Sequence, residues 1–134
     1  MAIQLNHTIV SARDPLASAT FLSEILGCAA PVPFGPFQGV TVDNGVTLDY
    51  IRDDGEFPVQ HFAFLVSEEE FDLIFGRIRA RSLSYWADPR HAQAGRINHN
   101  DGGRGVYWDD PDGHVLELLT RPYGSGSSGS SGSA

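Results

Sequence analysis

The sequence contains no lysine, and all nine of its positive charges are arginines. This absence excludes Schiff-base catalysis, a P-loop lysine and a lysine general base. The single cysteine, Cys28, excludes an intrachain disulfide and a cysteine-based zinc site. The formal net charge is −8 and no basic run is present. Nucleic acid and anionic membranes are therefore not expected as partners, because clustered positive charge binds both.

Long apolar runs and a signal pattern are also missing. No stretch approaches the roughly 18 apolar residues of a membrane span, and the N-terminus has no charged segment followed by an apolar one. We therefore expect a cytoplasmic protein. The last eleven residues, 124–134, are glycine, serine and alanine only, which predicts a flexible tail foreign to the domain. The remaining 1–123 has the length of a single domain.

The first half of the chain predicts a strand, a helix and a hairpin. Residues 4–10 alternate as in a strand, Asp14 and Pro15 start a helix, and Gly27 ends it. The segment 28–39 is predicted as loop or edge. Strands over 39–42 and 46–51 flank an Asn-Gly turn, which predicts a hairpin.

The second half repeats this pattern. A strand over 59–66 is followed by Ser67 and Glu70, which predict a capping box. Further strands are expected over 83–86, 105–108 and 114–119, the last two joined by a turn rich in Asp, Pro and Gly. The sequence thus predicts two βαβββ repeats, about 1–54 and 58–123, in an α+β fold.

Each repeat pairs a histidine with a carboxylate: His7 with Asp49, and His61 with Glu117. Imidazole and carboxylate ligands hold divalent Zn, Mn, Fe or Ni, and two histidines with one carboxylate leave positions open for substrate. A lone histidine in an apolar strand is more often structural, and alternation allows Glu117 to face solvent. The recurrence of both residue types at matching places favours the metal site, with Asp49 the weaker ligand because its side chain is shorter.

These residues resemble the vicinal oxygen chelate superfamily, which includes glyoxalase I, extradiol dioxygenases, and fosfomycin and bleomycin resistance proteins. The resemblance rests on His7 in LNHTIV, His61 in QHFAFLV and the stretch GRGVYWDDPDGHVLELLTRP at 103–122. It implies paired βαβββ modules forming an open, curled mixed sheet around a divalent metal, frequently in a homodimer. It also implies His7, His61 and Glu117 as ligands, with Asp49 as a fourth in the glyoxalase arrangement.

Other residues are candidates for contacting the substrate. The resemblance implies that Tyr107 hydrogen-bonds metal-bound groups, although it can also be a core aromatic. His99 is a candidate general acid or base or a solvated loop residue. Arg104 can clamp an anionic group or lie on the surface. Trp86 and Phe37 can form an aromatic wall or pack in the core.

The ligand set favours a metal-dependent enzyme acting on a small oxygenated substrate, by lyase, isomerase or extradiol-dioxygenase chemistry. The alternative is a metal-free protein that sequesters a small molecule or antibiotic, as bleomycin resistance proteins do. A third reading makes both histidines structural. The sequence leaves open whether a metal site is completed within one chain or across a dimer.

Overall fold

The structure, a computed structural model, describes residues 2–126 and divides the chain into two compact units between Val59 and Gln60. Each unit contains its own sheet. No helix in the described part of the chain is long and apolar enough to span a membrane.

The first unit has the predicted βαβββ order. Its elements are β1 (His7–Ala12), α1 (Pro15–Leu26), β2 (Val32–Phe34), β3 (Phe37–Thr41) and β4 (Thr47–Arg52). The sheet order is β1-β4-β3-β2, with β1 parallel to β4 and the other neighbours antiparallel. The segment predicted as loop or edge supplies β2, an edge strand.

Local sequence signals fix the ends of α1. The side chain of Asp14 accepts a hydrogen bond from the N–H of Ala17, and Pro15 occupies the first turn. Gly27 ends the helix with φ 75°, a left-handed conformation that glycine adopts at little cost. Both predicted helix ends are confirmed. Apolar side chains of α1 and of its sheet are buried together: Val10, Ala12, Ala19, Leu22, Ile25, Val40, Leu48 and Tyr50.

The second unit contains a three-stranded sheet. Its elements are β5 (His61–Leu65), α2 (Glu68–Ala80), a 3₁₀ turn (Asn100–Gly102), β6 (Gly105–Asp109) and β7 (Val115–Leu119). The order is β5-β7-β6, with β5 parallel and β6 antiparallel to β7. The predicted capping box is confirmed: Ser67 and Glu70 each accept the other's backbone N–H.

The strand predicted over 83–86 is wrong. Of that segment only Trp86 pairs, in isolated bridges to Tyr107 and Ala94. The chain that follows turns at Asp88, whose carboxylate accepts the N–H groups of Ala92 and Gln93. These side-chain bonds satisfy backbone groups that a longer strand would have to pair. Where the first unit has an edge strand, the second has isolated bridges to β6, at Trp86 and at Asn98.

The strands of the second sheet bury apolar residues on one face. Val106 and Trp108 of β6 and Leu116 and Leu118 of β7 have no exposed surface. Alternation places the neighbouring Tyr107 and Glu117 on the opposite face. This second face carries the polar residues of the candidate site, and the first face carries the core.

Candidate metal-binding site

The histidine and the carboxylate occupy equivalent register positions in the two units. In the first unit Asp49 pairs with Ile9, two residues after His7. In the second unit Glu117 pairs with Ala63, two residues after His61. Residues two apart on a strand share a face, so each histidine lies on the same face of its sheet as its carboxylate. The repeat seen in the sequence is thus also a repeat of backbone pairing.

His61 and Glu117 are in direct contact. The distance from His61 Nε2 to Glu117 Oε1 is 2.8 Å. The side chain of Glu117 is 2% exposed, whereas that of His61 is 45% exposed. A carboxylate with so little contact with water needs strong polar partners. A nitrogen and an oxygen of metal-binding types therefore meet at the surface of this sheet.

Two tyrosines complete the surroundings of Glu117. Tyr107 pairs directly with Glu117 across β6 and β7, and its ring meets that of His61 edge-on at 5.8 Å between centroids. Tyr123 donates its hydroxyl hydrogen to Glu117 Oε2. The Tyr107 and Tyr123 hydroxyl oxygens are 2.9 Å apart. Because Tyr123 has already donated its one hydroxyl hydrogen, Tyr107 is the donor in that second bond.

Tyr123 was not among the residues that the sequence indicated. It follows the last strand, just before the glycine–serine segment, where no periodicity assigns it to a face. The sequence signal available was an isolated aromatic residue after Arg121-Pro122, which by itself does not predict a contact with Glu117.

The environment of Tyr107 and Tyr123 favours the neutral, protonated form of both side chains. Burial raises the pKa of Tyr107, and the bond that it donates to Tyr123 and the charge of Glu117 raise it further. Burial of the Tyr123 hydroxyl and its bond to Glu117 raise the pKa of Tyr123 to about 12. Both effects act because a phenolate beside a carboxylate is unfavourable in a poorly solvated site.

These shifts predict late ionisation of two tyrosines at alkaline pH. The folded chain holds both protons more tightly than the unfolded chain, whose tyrosines ionise near pH 10. The stability that they contribute is fully present below that pH and is lost as pH rises through the folded pKa values. Phenolate absorption of the folded protein should lag behind that of the urea-unfolded chain, and Tyr123→Phe should remove part of the lag. Coincident titration curves would contradict the prediction.

In the first unit, the corresponding histidine and carboxylate are His7 and Asp49, and Asp49 is more exposed than Glu117. His7 is exposed, with Nδ1 2.7 Å from Asn6 Oδ1. Asp49 lies opposite Gly39 of β3, where an added Cβ would come within 2.9 Å of Asp49 Oδ1. Glycine therefore leaves the space that the Asp49 carboxylate occupies. Phe37 is two residues before Gly39 and lies on the same face of this sheet.

Trp86 lies next to Tyr107, the residue that pairs with Glu117. Its bridge to Tyr107 is a mutual exchange of N–H···O bonds at 2.9 and 2.8 Å, so both side chains project from the same face. The Trp86 ring stacks on His91 at 3.6 Å between centroids. His91 Nε2 is 3.3 Å from Asp109 Oδ1. Trp86 therefore lies on the same face as Tyr107, and its ring is in contact with His91.

Arg104 has a structural environment that the sequence did not indicate. Its guanidinium donates to Glu68 Oε1 at 2.7 Å and to Asp72 Oδ1 at 2.9 Å, and lies 4.3 Å from the centre of the Phe71 ring. These contacts fasten β6 to the first turns of α2. A substrate clamp would have to break two ion pairs, so the geometry does not support the predicted substrate-binding role.

Two further histidines of the second unit, His99 and His114, have different environments. His99 is exposed and precedes the 3₁₀ turn, and no hydrogen bond in the described part of the chain joins it to His61, Tyr107 or Glu117. His114 is completely buried, and its Nδ1 accepts the N–H of Gln60 at 2.9 Å. This bond ties the residue before β5 to the turn before β7.

The predicted ligands are divided between the units, with His7 and Asp49 in the first and His61 and Glu117 in the second. Over residues 2–126, no three His, Cys, Asp or Glu side chains are grouped to hold a metal ion. The donor chemistry of His61 and Glu117 nevertheless fits a divalent metal, because an imidazole nitrogen and a carboxylate oxygen already face each other. Their pair supplies two ligands and needs at least one more.

Known proteins resemble this chain over most of its length. The chain is 31% identical over 124 residues to glutathione transferase FosA of Serratia marcescens, an alignment that covers 88% of this chain and 81% of that relative. No protein-family model matches the chain.

Two solved structures are more similar still. The structure titled oxidase ChaP-H1 is 65% identical and covers 92% of this chain and 99% of its own, with a TM-score of 0.89. The structure titled oxidase ChaP-H2 is 61% identical, covers 94% and 99%, and has a TM-score of 0.91. Both likenesses extend over both units.

Proposed function

We propose that this chain, which belongs to the vicinal oxygen chelate superfamily, is a divalent-metal-dependent enzyme that oxidises a small oxygenated molecule. The observation that carries the proposal is the contact between His61 Nε2 and Glu117 Oε1 at 2.8 Å. Its register is repeated by His7 and Asp49 in the other unit. A purely structural histidine would not require this repetition.

The proposed ligands are His7, His61 and Glu117. Two histidines and one carboxylate with open positions are typical of non-haem Fe²⁺ oxygenases, and iron is the metal we propose. When bound, the metal would supply the positive charge that holds two adjacent substrate oxygens. The proposal requires His7 to join the other two ligands from the same chain or from a second copy in a homodimer. Asp49 is proposed as a further polar group near His7.

The remaining residues on these faces would bind and orient the substrate. Tyr107 is completely buried beside Glu117 and keeps its proton over the neutral range because its pKa is raised. It would therefore act as a hydrogen-bond donor, in the bond that it gives to Tyr123, rather than as a base. Trp86 and Phe37 are proposed to contact the apolar part of the substrate. His99 stays a candidate proton carrier, and Arg104 has no part in the proposal.

The names of the similar proteins favour oxidation over thiol transfer. Two solved structures above 60% identity are titled oxidases, whereas the glutathione transferase is 31% identical. An anionic co-substrate such as glutathione needs basic partners, and Arg104 is held by Glu68 and Asp72. Thiol addition is the second candidate, because the resemblance to the transferase extends over most of both chains.

The test is metal content combined with a chelating probe. The wild type should bind about one Fe²⁺ per complete site, and His7→Ala and His61→Ala should each bind far less, since each loses one of three ligands. Nitrocatechol, whose visible absorption changes when both oxygens ligate iron, should report binding to the wild type but not to His7→Ala or His61→Ala. The exposed His91→Ala variant serves as the matched control and should retain the metal.

The outcomes separate the candidate functions. Equal metal content in the wild type, His7→Ala and His61→Ala would refute the metal assignment. A metal-free wild type that binds a glycopeptide antibiotic tightly would instead favour sequestration. Conjugation of a thiol to fosfomycin without consumption of O₂ would favour the transferase reaction.

A further inference from the structure

We propose that Tyr123 is a positioning residue for the metal-ligating carboxylate of Glu117. The inference rests on the proposed function, because it assigns a task to a neighbour of one proposed ligand. Tyr123 lies beyond the last strand, six residues after Glu117, and its hydroxyl returns to bond Glu117 Oε2.

The two oxygens of Glu117 have different partners. Oε1 faces His61 Nε2 at 2.8 Å, and Oε2 accepts the hydroxyl of Tyr123. With one partner on each oxygen, rotation of the carboxylate about its terminal bond would break both contacts. Tyr123 thereby keeps Oε1 directed towards the imidazole nitrogen. Outer partners of this kind orient ligands and raise metal affinity.

The segment that carries Tyr123 is fastened by a buried group. Asp101 is 2% exposed, and its Oδ1 accepts the backbone N–H groups of Gly124 and Gly126, each at 3.1 Å. Ser125 adds a bond from its N–H to the carbonyl of Pro122 at 3.1 Å. The first residues of the predicted tail therefore make defined contacts, while 127–134 lie outside the described residues.

These contacts explain how a half-exposed tyrosine can hold a fixed position. Tyr123 remains 48% exposed, so packing alone does not fix its side chain. Its hydroxyl is placed by the bond donated by Tyr107, at 2.9 Å, and its backbone by Asp101 through Gly124. Asp101 adopts φ 57°, an unfavourable conformation for a non-glycine residue. The turn at Asp101 thus holds the segment that carries Tyr123, and Tyr123 in turn holds the carboxylate of Glu117.

The experiment measures the affinity of the metal-free protein for Mn²⁺, through loss of the free-ion EPR signal. Tyr123→Phe removes one hydroxyl from a half-exposed ring and is expected to weaken Mn²⁺ binding by about 10–100-fold, the usual effect of losing an outer partner of a ligand. Because Tyr123→Phe also leaves a buried carboxylate oxygen without this partner, the affinities are compared at a temperature at which circular dichroism shows both proteins to be folded. Tyr85→Phe, a tyrosine of the same unit whose ring packs edge-on against Phe75 at 5.0 Å, should bind Mn²⁺ as the wild type does.

A second variant tests the fastening of the segment. Asp101→Ala should also weaken Mn²⁺ binding, and the double variant Asp101→Ala/Tyr123→Phe should bind no more weakly than Tyr123→Phe, because both changes act through one hydroxyl. Additive losses would show that Asp101 acts by another route and would overturn that part of the proposal.

The inference and the proposed function fail in different ways. If the wild type binds Mn²⁺, His61→Ala does not, and Tyr123→Phe binds as tightly as the wild type, the inference is overturned and the metal site stands. If the wild type and His61→Ala bind Mn²⁺ equally, or neither binds it, both are overturned.

Discussion

Replacement of Glu117 by glutamine is expected to weaken divalent-metal binding by more than about 100-fold, beyond the range for losing an outer partner, and to abolish turnover. Glutamine keeps the shape of the side chain but has no charge and only one acceptor oxygen. It cannot present an oxygen to both His61 and Tyr123, as the carboxylate does. The measurements are Fe²⁺ content after anaerobic loading and Mn²⁺ affinity.

The matched control is Glu56→Gln. Glu56 is an exposed residue of the first unit, and its replacement removes the same single negative charge from an acidic protein. Both variants therefore lose the same unit of net charge, and only Glu117→Gln loses a proposed ligand. Similar Mn²⁺ affinities for the two variants would show that Glu117 is not a ligand.

Replacement of Trp108 by alanine is expected to lower the free energy of unfolding by about 3–5 kcal/mol, the usual cost of removing a large buried aromatic side chain. Trp108 is completely buried on the core face of β6. Because total stabilities are about 5–15 kcal/mol, this loss is a large part of the whole. Urea unfolding followed by circular dichroism measures it.

The control for Trp108→Ala is Leu73→Ala on α2. Leu73 is 62% exposed, so its removal should change the free energy of unfolding by less than about 0.5 kcal/mol. A small loss for Trp108→Ala, comparable with that of the control, would contradict the assignment of this face of β6 to the core. The adjacent Tyr107 faces the other way, so Tyr107→Phe should spare stability and affect substrate handling.

Much of the fold was predictable because its signals are local. Both ends of α1 are set by Asp14 and Gly27, and the start of α2 by the Ser67–Glu70 box. All of these bonds join residues at most five positions apart. The strand over 83–86 was predicted wrongly, since its aromatic residues suit a strand but pairing depends on a partner far along the chain. Only Trp86 found that partner, in Tyr107.

The site was predictable to the extent that it repeats. The similarity of the two halves of the chain predicts four site residues: His7, His61, Asp49 and Glu117. The backbone pairing places each histidine on the same face of its sheet as its carboxylate. Arg104 and Tyr123 have no counterpart in the repeat. Their partners, Glu68 for the first and Glu117 for the second, are set by folding of separate segments against each other. No pattern within one segment carries that information.

The shared register also places a constraint on strand length. A one-residue insertion or deletion within β5, between His61 and the paired Ala63, would turn the imidazole to the apolar face of its sheet. The same holds for β1 between His7 and Ile9. Spacing along these strands is therefore as restricted as the identity of the ligands. The loops between the elements can change in length without this effect. The number of residues from His7 to Ile9 and from His61 to Ala63 cannot.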